Sequence, residues 1–344
     1  MSANQRRYWG FVTPLQGELL AAHAQMLDAA AVEGAFAPQV YGPPFLPLAA
    51  AAVVTKRIRL ASGVAIAFAR SPFETAMAAI DLDRLSGGRF TLGLGCSARS
   101  WMEGFFGVSY SKPLGRMREV VEIVRLVVAK AHTGELTRYE GAYHSLDFAE
   151  LQPPAPPVRT ELPIWIAALR APLVSLGAEI ADGVMGHPIW SVEWATSLMP
   201  AAIARGLERG GRERGEIEVN LWLWTAIAGD RDEAIEDSRP TIAFYAAIPQ
   251  YEEYFAAHGF GEQARRVRQA VQEGSLEDGA GLVPDEMVET FVACGSPEQV
   301  QERIEPLWEV ADSLCPAPPS YGLPTEKVVA YTSAIAETFY GGDQ

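Results

Sequence analysis

Short runs of β-branched and aromatic residues recur along the chain, and nearly every one is followed by a segment whose apolar residues repeat at helical spacing. The strand-like runs are Tyr8 to Val12, Phe36 to Gln39, Ile58 to Val64, Phe90 to Leu94, Ile164 to Ala168, Gly183 to Gly186, Ile217 to Ile227 and Asp312 to Cys315. The helical segments are Leu19 to Glu33, Leu46 to Thr55, Phe73 to Leu85, Arg116 to Lys130, Pro172 to Ala181, Val192 to Arg209, Pro297 to Leu307 and Lys327 to Phe339. Two helix starts carry explicit punctuation. "SPFE" at Ser71 to Glu74 and "SPEQ" at Ser296 to Gln299 each place Ser at the N-cap, Pro at the first helical position and Glu or Gln two residues further on. Eight strands alternating with helices predict an α/β protein of the closed (β/α)8 TIM-barrel type, in which every parallel strand is covered on both faces.

Two stretches exceed what a minimal barrel needs. Residues 133–162 contain "LTRYEGAYHSLDF", which reads as a hairpin around Glu140 and Gly141, followed by the proline-rich "QPPAPPV". Residues 229–290 read as helical, acidic and aromatic, with Tyr245, Tyr251 and Tyr254 suggesting either an aromatic-lined lid or a small core of their own. No linker divides the chain, so residues 1–344 are expected to form one barrel domain with these insertions.

Charge narrows the partners. A net charge of −15 disfavours nucleic acid and anionic membranes, both of which are polyanions. No run approaches the roughly 20 uninterrupted apolar residues of a membrane span, and the start "MSANQRRYWGFVTP" lacks the apolar core of a signal peptide. Cys96, Cys294 and Cys315 are sparse and odd in number, which predicts free thiols in a cytoplasmic, reducing setting. The histidines His23, His132, His144, His187 and His258 are scattered without metal-ligand spacing, so no metal is expected.

"FTLGLGCSA" holds Gly93, Gly95 and Ala98 in the Gly-x-Gly-x-x-Gly/Ala pattern of a dinucleotide-binding turn. It belongs, however, to the fourth strand, and the acidic residues that follow, Glu119 and Glu122, fall inside an amphipathic helix. A dinucleotide fingerprint sits at the first βα turn, with its acid at the end of the next strand. The glycines therefore have one of two other uses: tight packing between strands, or close backbone approach to a flat ligand over the barrel mouth.

"AAVVTKRIRLASGVAIAFARSPFETAMAAIDLDRLSGGRFTLGLG" with "PIWIAALRAPLVSLGAEIADGVMGHP" resembles the luciferase-like monooxygenase superfamily, in particular its branch of coenzyme F420 (deazaflavin)-dependent oxidoreductases. Ala65 to Pro72 and Ile242 to Gly259 carry further similarity to that branch, and the resemblance extends from about Trp9 to the final helix. It implies a tricyclic ring across the C-terminal mouth, backed by a non-prolyl cis peptide at Gly63–Val64 and flanked by Ala65. It also implies that Gly95, Cys96 and Ser97 follow the ring edge. The ligand phosphate would fall near Ala167, Ala168, Leu169 and Arg170 after strand five and Gly186 and His187 after strand six. A lone buried cysteine is commonly just a filler, and an arginine such as Arg170 is ordinarily solvated.

The deazaflavin-dependent sugar-phosphate dehydrogenase has Asp-His at the end of strand two and an acid in the loop after strand four. The matching positions here are Gln39, Val40 and Ala98. Without that acid/base set, reduction of an activated C=C or C=N bond suits the chain better than alcohol oxidation. Gln39, Arg99 and Trp101 are the candidate substrate contacts. Three readings follow: hydride transfer between F420 and a small organic substrate; an FMN-dependent monooxygenase supplied with reduced flavin by a separate reductase; and a flavin-binding barrel without turnover. The resemblance also implies a homodimer.

Overall fold

The computed structural model describes residues 6–341. The ends of the expected 1–344 domain, residues 1–5 and 342–344, lie outside the described residues. Eight parallel strands form the barrel: Trp9–Phe11, Gly34–Ala37, Arg59–Ser62, Phe90–Gly95, Ile164–Ala168, Gly183–Gly186, Glu218–Ile227 and Ser313–Ala317. They are called strands one to eight below. Each pairs with the next in parallel register, from Trp9 opposite Gly34 through Trp165 opposite Gly183 to Trp224 opposite Ala317. Strand eight returns to strand one, with Leu314 N–H donating to Arg7 O at 3.0 Å and Tyr8 bridging Leu314. The sheet is thereby closed and the expected TIM-barrel fold is present.

Side-chain size alternates to fill the interior. A Cβ at Gly34 would stand 2.6 Å from the Trp9 ring, and one at Gly183 would stand 2.5 Å from Trp165. Small residues thus make room for the large rings on neighbouring strands. Trp9, Phe36, Ala61, Trp165, Met185 and Cys315 form the buried interior layer. The glycine at position 93 also resolves in favour of packing. Its Cβ would lie 1.9 Å from Ser62 O, and the Ser62 hydroxyl both donates to Gly93 O and accepts from Gly93 N–H.

Both punctuated helix starts cap as expected. Ser71 Oγ accepts from Glu74 N–H, and Ser296 Oγ accepts from Gln299 N–H opposite a returning Gln299 side chain. Several boundaries differ from the sequence expectation. The first helix ends at Ala29 rather than Glu33, because strand two begins at Gly34. The run Ile58 to Val64 forms only strand three and is followed by a two-residue strand, Ala65–Ile66, paired with strand four. The segment Val192 to Arg209 contains a π-helical turn, Trp194–Leu198, ahead of the helix Met199–Gly210. Two elements carried no strong periodic signal: the short helix Arg99–Gly104, and Val292–Gly295, a strand against the upper end of strand seven.

The first insertion holds the expected hairpin, Arg138–Glu140 against Ser145–Asp147. Its turn closes over the Glu119 carboxylate, which accepts N–H groups from Ala142, Tyr143 and His144. The second insertion is helical from Arg231–Ala246 through Asp285–Phe291. No helix among the described residues is long and apolar enough to cross a membrane.

Candidate functional site

At the C-terminal mouth, four half-exposed apolar side chains rest on the buried interior layer: Phe11, Val64, Ala167 and Trp222. Phe11 and Ala167 come from the upper ends of strands one and five, Val64 from just past strand three and Trp222 from the middle of strand seven, and Phe11 meets Trp222 edge-on with centroids 4.9 Å apart. The Gly63–Val64 peptide is cis, as the resemblance implies. Val64 leans over strand four, so a Cβ at Gly95 would stand 2.6 Å from Val64 Cγ2. Glycine there lets the platform extend across strand four. Gly63 has a different orientation from its neighbour. Its Cβ would point 2.4 Å from Trp222 Cζ2 and 2.9 Å from Phe36, so this residue offers the mouth only backbone.

Around the platform, the remaining sequence candidates divide into bracing and exposed groups. Gln39 is buried and its Oε1 accepts from Ile66 N–H at 2.9 Å and Arg70 Nη2 at 3.1 Å. Its carbonyl thus braces the segment that follows Val64, and Ala65 is buried beside it. Cys96 is buried, which pushes its thiol up to about 12 although the Arg116 charge pulls the other way. It is a protonated filler rather than a nucleophile. Ser97 adopts the left-handed backbone (φ 61°), which turns the loop at the end of strand four.

The tip of the second insertion closes on these loops. Gln250 accepts from Arg99 N–H at 2.8 Å and points its amide nitrogen toward Ser97 O at 3.5 Å. Arg170 donates to Gln250 O at 2.8 Å and to Glu253 Oε2 at 2.5 Å. Tyr251 lies 3.0 Å from His187 Nε2. The lid reading of the tyrosines therefore has a geometric basis at Tyr251, whereas Tyr254 packs with Phe255 and Phe291 as local core. Gln250 was not singled out in the sequence, since a glutamine in a short turn has no distinguishing pattern.

His187 is neutral. Burial drives its pKa down to about 3, and Nδ1 accepts from Ile189 N–H, so Nε2 carries the proton toward Tyr251. Burial also pushes the Tyr245 and Tyr251 hydroxyls upward. At the end of strand five, Ala168 is buried, and just past it Leu169 O accepts from the Trp190 indole. Arg170 occupies the N-cap of the helix Ala171–Ile180, whose first turn receives no side-chain cap. Gly186 faces packing instead of the mouth: its Cβ would lie 2.7 Å from Leu221 and 2.8 Å from Trp190. An acidic substitution at Gly186 would accordingly disrupt the core before it reached any ligand.

One side of the mouth is an aromatic wall. Trp101 lies between Tyr41 at 6.1 Å and Phe244 at 6.2 Å, and Phe244 stacks on Tyr321 at 3.8 Å and 8°. Tyr41 is 70% exposed and Phe105, 5.6 Å from Trp101, is 60% exposed. Arg99 sits over Tyr110 and pairs with Glu103 at 3.1 Å, so its charge is shared at the rim.

Comparison with known proteins bears on the family and the fold. Residues 15–311 match the family model described as luciferase-like monooxygenase. A putative coenzyme F420-dependent oxidoreductase of Mycobacterium tuberculosis is 31% identical over 332 residues, covering 89% of this chain and 91% of that protein. A 5,10-methylenetetrahydromethanopterin reductase of Archaeoglobus fulgidus is 32% identical over 266 residues, covering 74% and 75%. The coenzyme F420-dependent tetrahydromethanopterin reductase structure from Methanopyrus kandleri superposes with a TM-score of 0.80 at 23% identity, covering 97% of this chain and 99% of that one.

Proposed function

Because the chain belongs to the luciferase-like monooxygenase family and is an enzyme of that class, we propose that it is an oxidoreductase that uses coenzyme F420 on a small, planar organic substrate. The observation that carries this reading is the half-exposed apolar platform of Phe11, Val64, Ala167 and Trp222 at the functional end of the barrel. Its chemistry fits a flat tricyclic ring, since each residue offers apolar surface that the barrel leaves uncovered. The similarity to proteins named as F420-dependent supports the deazaflavin over FMN.

In this reading Val64, Ala167 and Trp222 would hold the ring face, and Gly95 to Ser97 its edge. The phosphate would meet the uncapped first turn of the helix Ala171–Ile180, where N–H groups and the helix dipole favour an anion. When bound, the deazaflavin supplies a hydride from its carbon 5. The Gln250–Tyr251 tip would keep water from the reacting carbons, and the Trp101–Phe244 wall would align the substrate over the platform. Neutral His187 would orient Tyr251 and hold its own proton on Nε2. With Gln39, Val40 and Ala98 at the acid/base positions, reduction of a C=C or C=N bond is the favoured direction, its proton coming from solvent.

A second copy of this chain is the proposed partner. The helix Phe45–Val54 is apolar along its whole length, yet Leu46 is 70% and Val53 66% exposed.

The test is titration of the purified protein with F420 and with FMN, each oxidised and reduced. Saturable F420 binding with turnover under air and no peroxide is expected. Tight FMN binding with oxygen uptake, and no F420 binding, would replace this reading with an FMN monooxygenase fed by a separate reductase.

A further inference from the structure

Resting on the deazaflavin reading, we infer that the cofactor's polycarboxylate tail leaves the mouth between the helices Pro113–Lys130 and Ala171–Ile180 and lies in a basic groove on the outer helix layer. The groove runs between these two helices and Met199–Gly210 and encloses about 580 Å³. Arg118, Arg205 and Arg209 line it against a single carboxylate, Glu179. Three cations and one anion leave two net positive charges, in a chain whose total is −15. That local sign reversal is what a polyanion on an acidic protein requires.

The arginines are arranged so that their charge is not cancelled. Glu179 offers one oxygen to Arg118 at 2.5 Å and the other to Arg209 at 2.9 Å, so one carboxylate fixes two guanidinium groups. Arg209 is further held by Ser175 Oγ at 2.9 Å. Arg205 is exposed and makes no ion pair or side-chain hydrogen bond among the described residues. Each guanidinium has five N–H donors, so those spent on Glu179 and Ser175 leave others for a carboxylate ligand. Leu114 and Leu176 supply apolar wall for the methylene segments of a glutamate chain.

Position links the groove to the mouth. Ala171 and Pro172 form its upper rim, directly after Arg170 and at the helix start assigned to the phosphate. The two basic residues that the resemblance places near the phosphate are not free for the tail. Arg170 is tied to Glu253 and Gln250 O, and His187 is uncharged.

The experiment titrates wild type and Arg205→Glu with F420 carrying several glutamates and with the same deazaflavin phosphate lacking them, each at low and high salt. Arg205 anchors nothing in the fold, so the melting temperature should not move. The long-tailed form should bind the variant about three- to tenfold more weakly at low salt, with most of that difference lost at high salt. The form without glutamates should bind both proteins equally. Equal weakening of both ligands, or no weakening of the long-tailed one, would overturn the groove while leaving the deazaflavin reading intact. Failure of wild type to bind either ligand would overturn both.

Discussion

The two ends of the barrel use the same residue types in opposite ways. At the N-terminal end, the Arg59 guanidinium stands 5.1 Å from the centroids of both Trp9 and Trp165 and pairs with Glu218 at 2.9 Å and Glu33 at 3.3 Å. Arg7 approaches the same two carboxylates at 3.3 and 3.8 Å. Both of these cations have anions, and the rings of Trp9 and Trp165 are covered. At the C-terminal end, Phe11, Trp222, Trp101 and Tyr41 keep exposed surface, and the nearby arginines hold a lid rather than a core. The lower end is complete without a ligand, while the upper end leaves apolar area open to water. Stability is therefore expected to depend on the first and binding on the second.

The largest expected effect is at the lower end. Arg59→Ala would leave Glu33 and Glu218 facing each other with only Arg7 between them, lowering unfolding free energy by about 2–4 kcal/mol. Chemical denaturation should show this loss, and cofactor affinity per folded molecule should stay within twofold. A matching loss of affinity would merge the two ends and break the comparison.

His187 gives the next effect, through pH. Its folded pKa of about 3 lies below the ordinary 6.5, so the unfolded chain takes up a proton first as the solution is acidified. The associated stability is complete above pH 6.5 and is lost as pH falls toward 3. Because the ring keeps some solvent contact, the loss near pH 4 should be roughly 1–3 kcal/mol. Comparing denaturation of wild type and His187→Gln across that range should show a shallower acid slope in the variant. Parallel slopes would show that the imidazole is not held neutral at the mouth.

A smaller effect is expected at the lid. Gln250→Ala removes the contacts to Arg99 N–H and Ser97 O but leaves the tip on Arg170 through Gln250 O. Overall stability should fall by about 0.5–1.5 kcal/mol, with faster amide exchange confined to residues 97–99 and 249–253. Exchange spreading evenly through the barrel would show that the tip is part of the core. The smallest stability change belongs to Tyr41→Ala, within about 0.5 kcal/mol because the ring is largely exposed. The substrate KM should rise severalfold, which sharpens the contrast with Arg59.

Much of the fold was legible because burial on both faces writes itself as short apolar runs, and all eight barrel strands follow from them. Val292–Gly295 was missed because it pairs only with the upper end of strand seven and follows a helix without a turn. The site was legible at the level of loops and not of side chains. Val64 and Ala167 follow from the family resemblance, yet nothing in a linear pattern reveals that Gly63 points at Trp222 or that Gly186 points at Leu221. Those directions depend on register between strands far apart in sequence. The commitment of Arg170 to Glu253, eighty-odd residues on, is hidden for the same reason.

The division between the two ends is tested most directly by titrating F420 into Ala167→Trp and Arg59→Ala alongside wild type, with an unfolding curve for each. Ala167 is half-exposed on the platform, so an indole there would occupy the space assigned to the cofactor ring. The account predicts at least a thirtyfold loss of affinity, about 2 kcal/mol or more, in Ala167→Trp with stability nearly unchanged, and the reverse pattern in Arg59→Ala. Wild-type affinity in Ala167→Trp would contradict it, because the ring could not then lie on the platform.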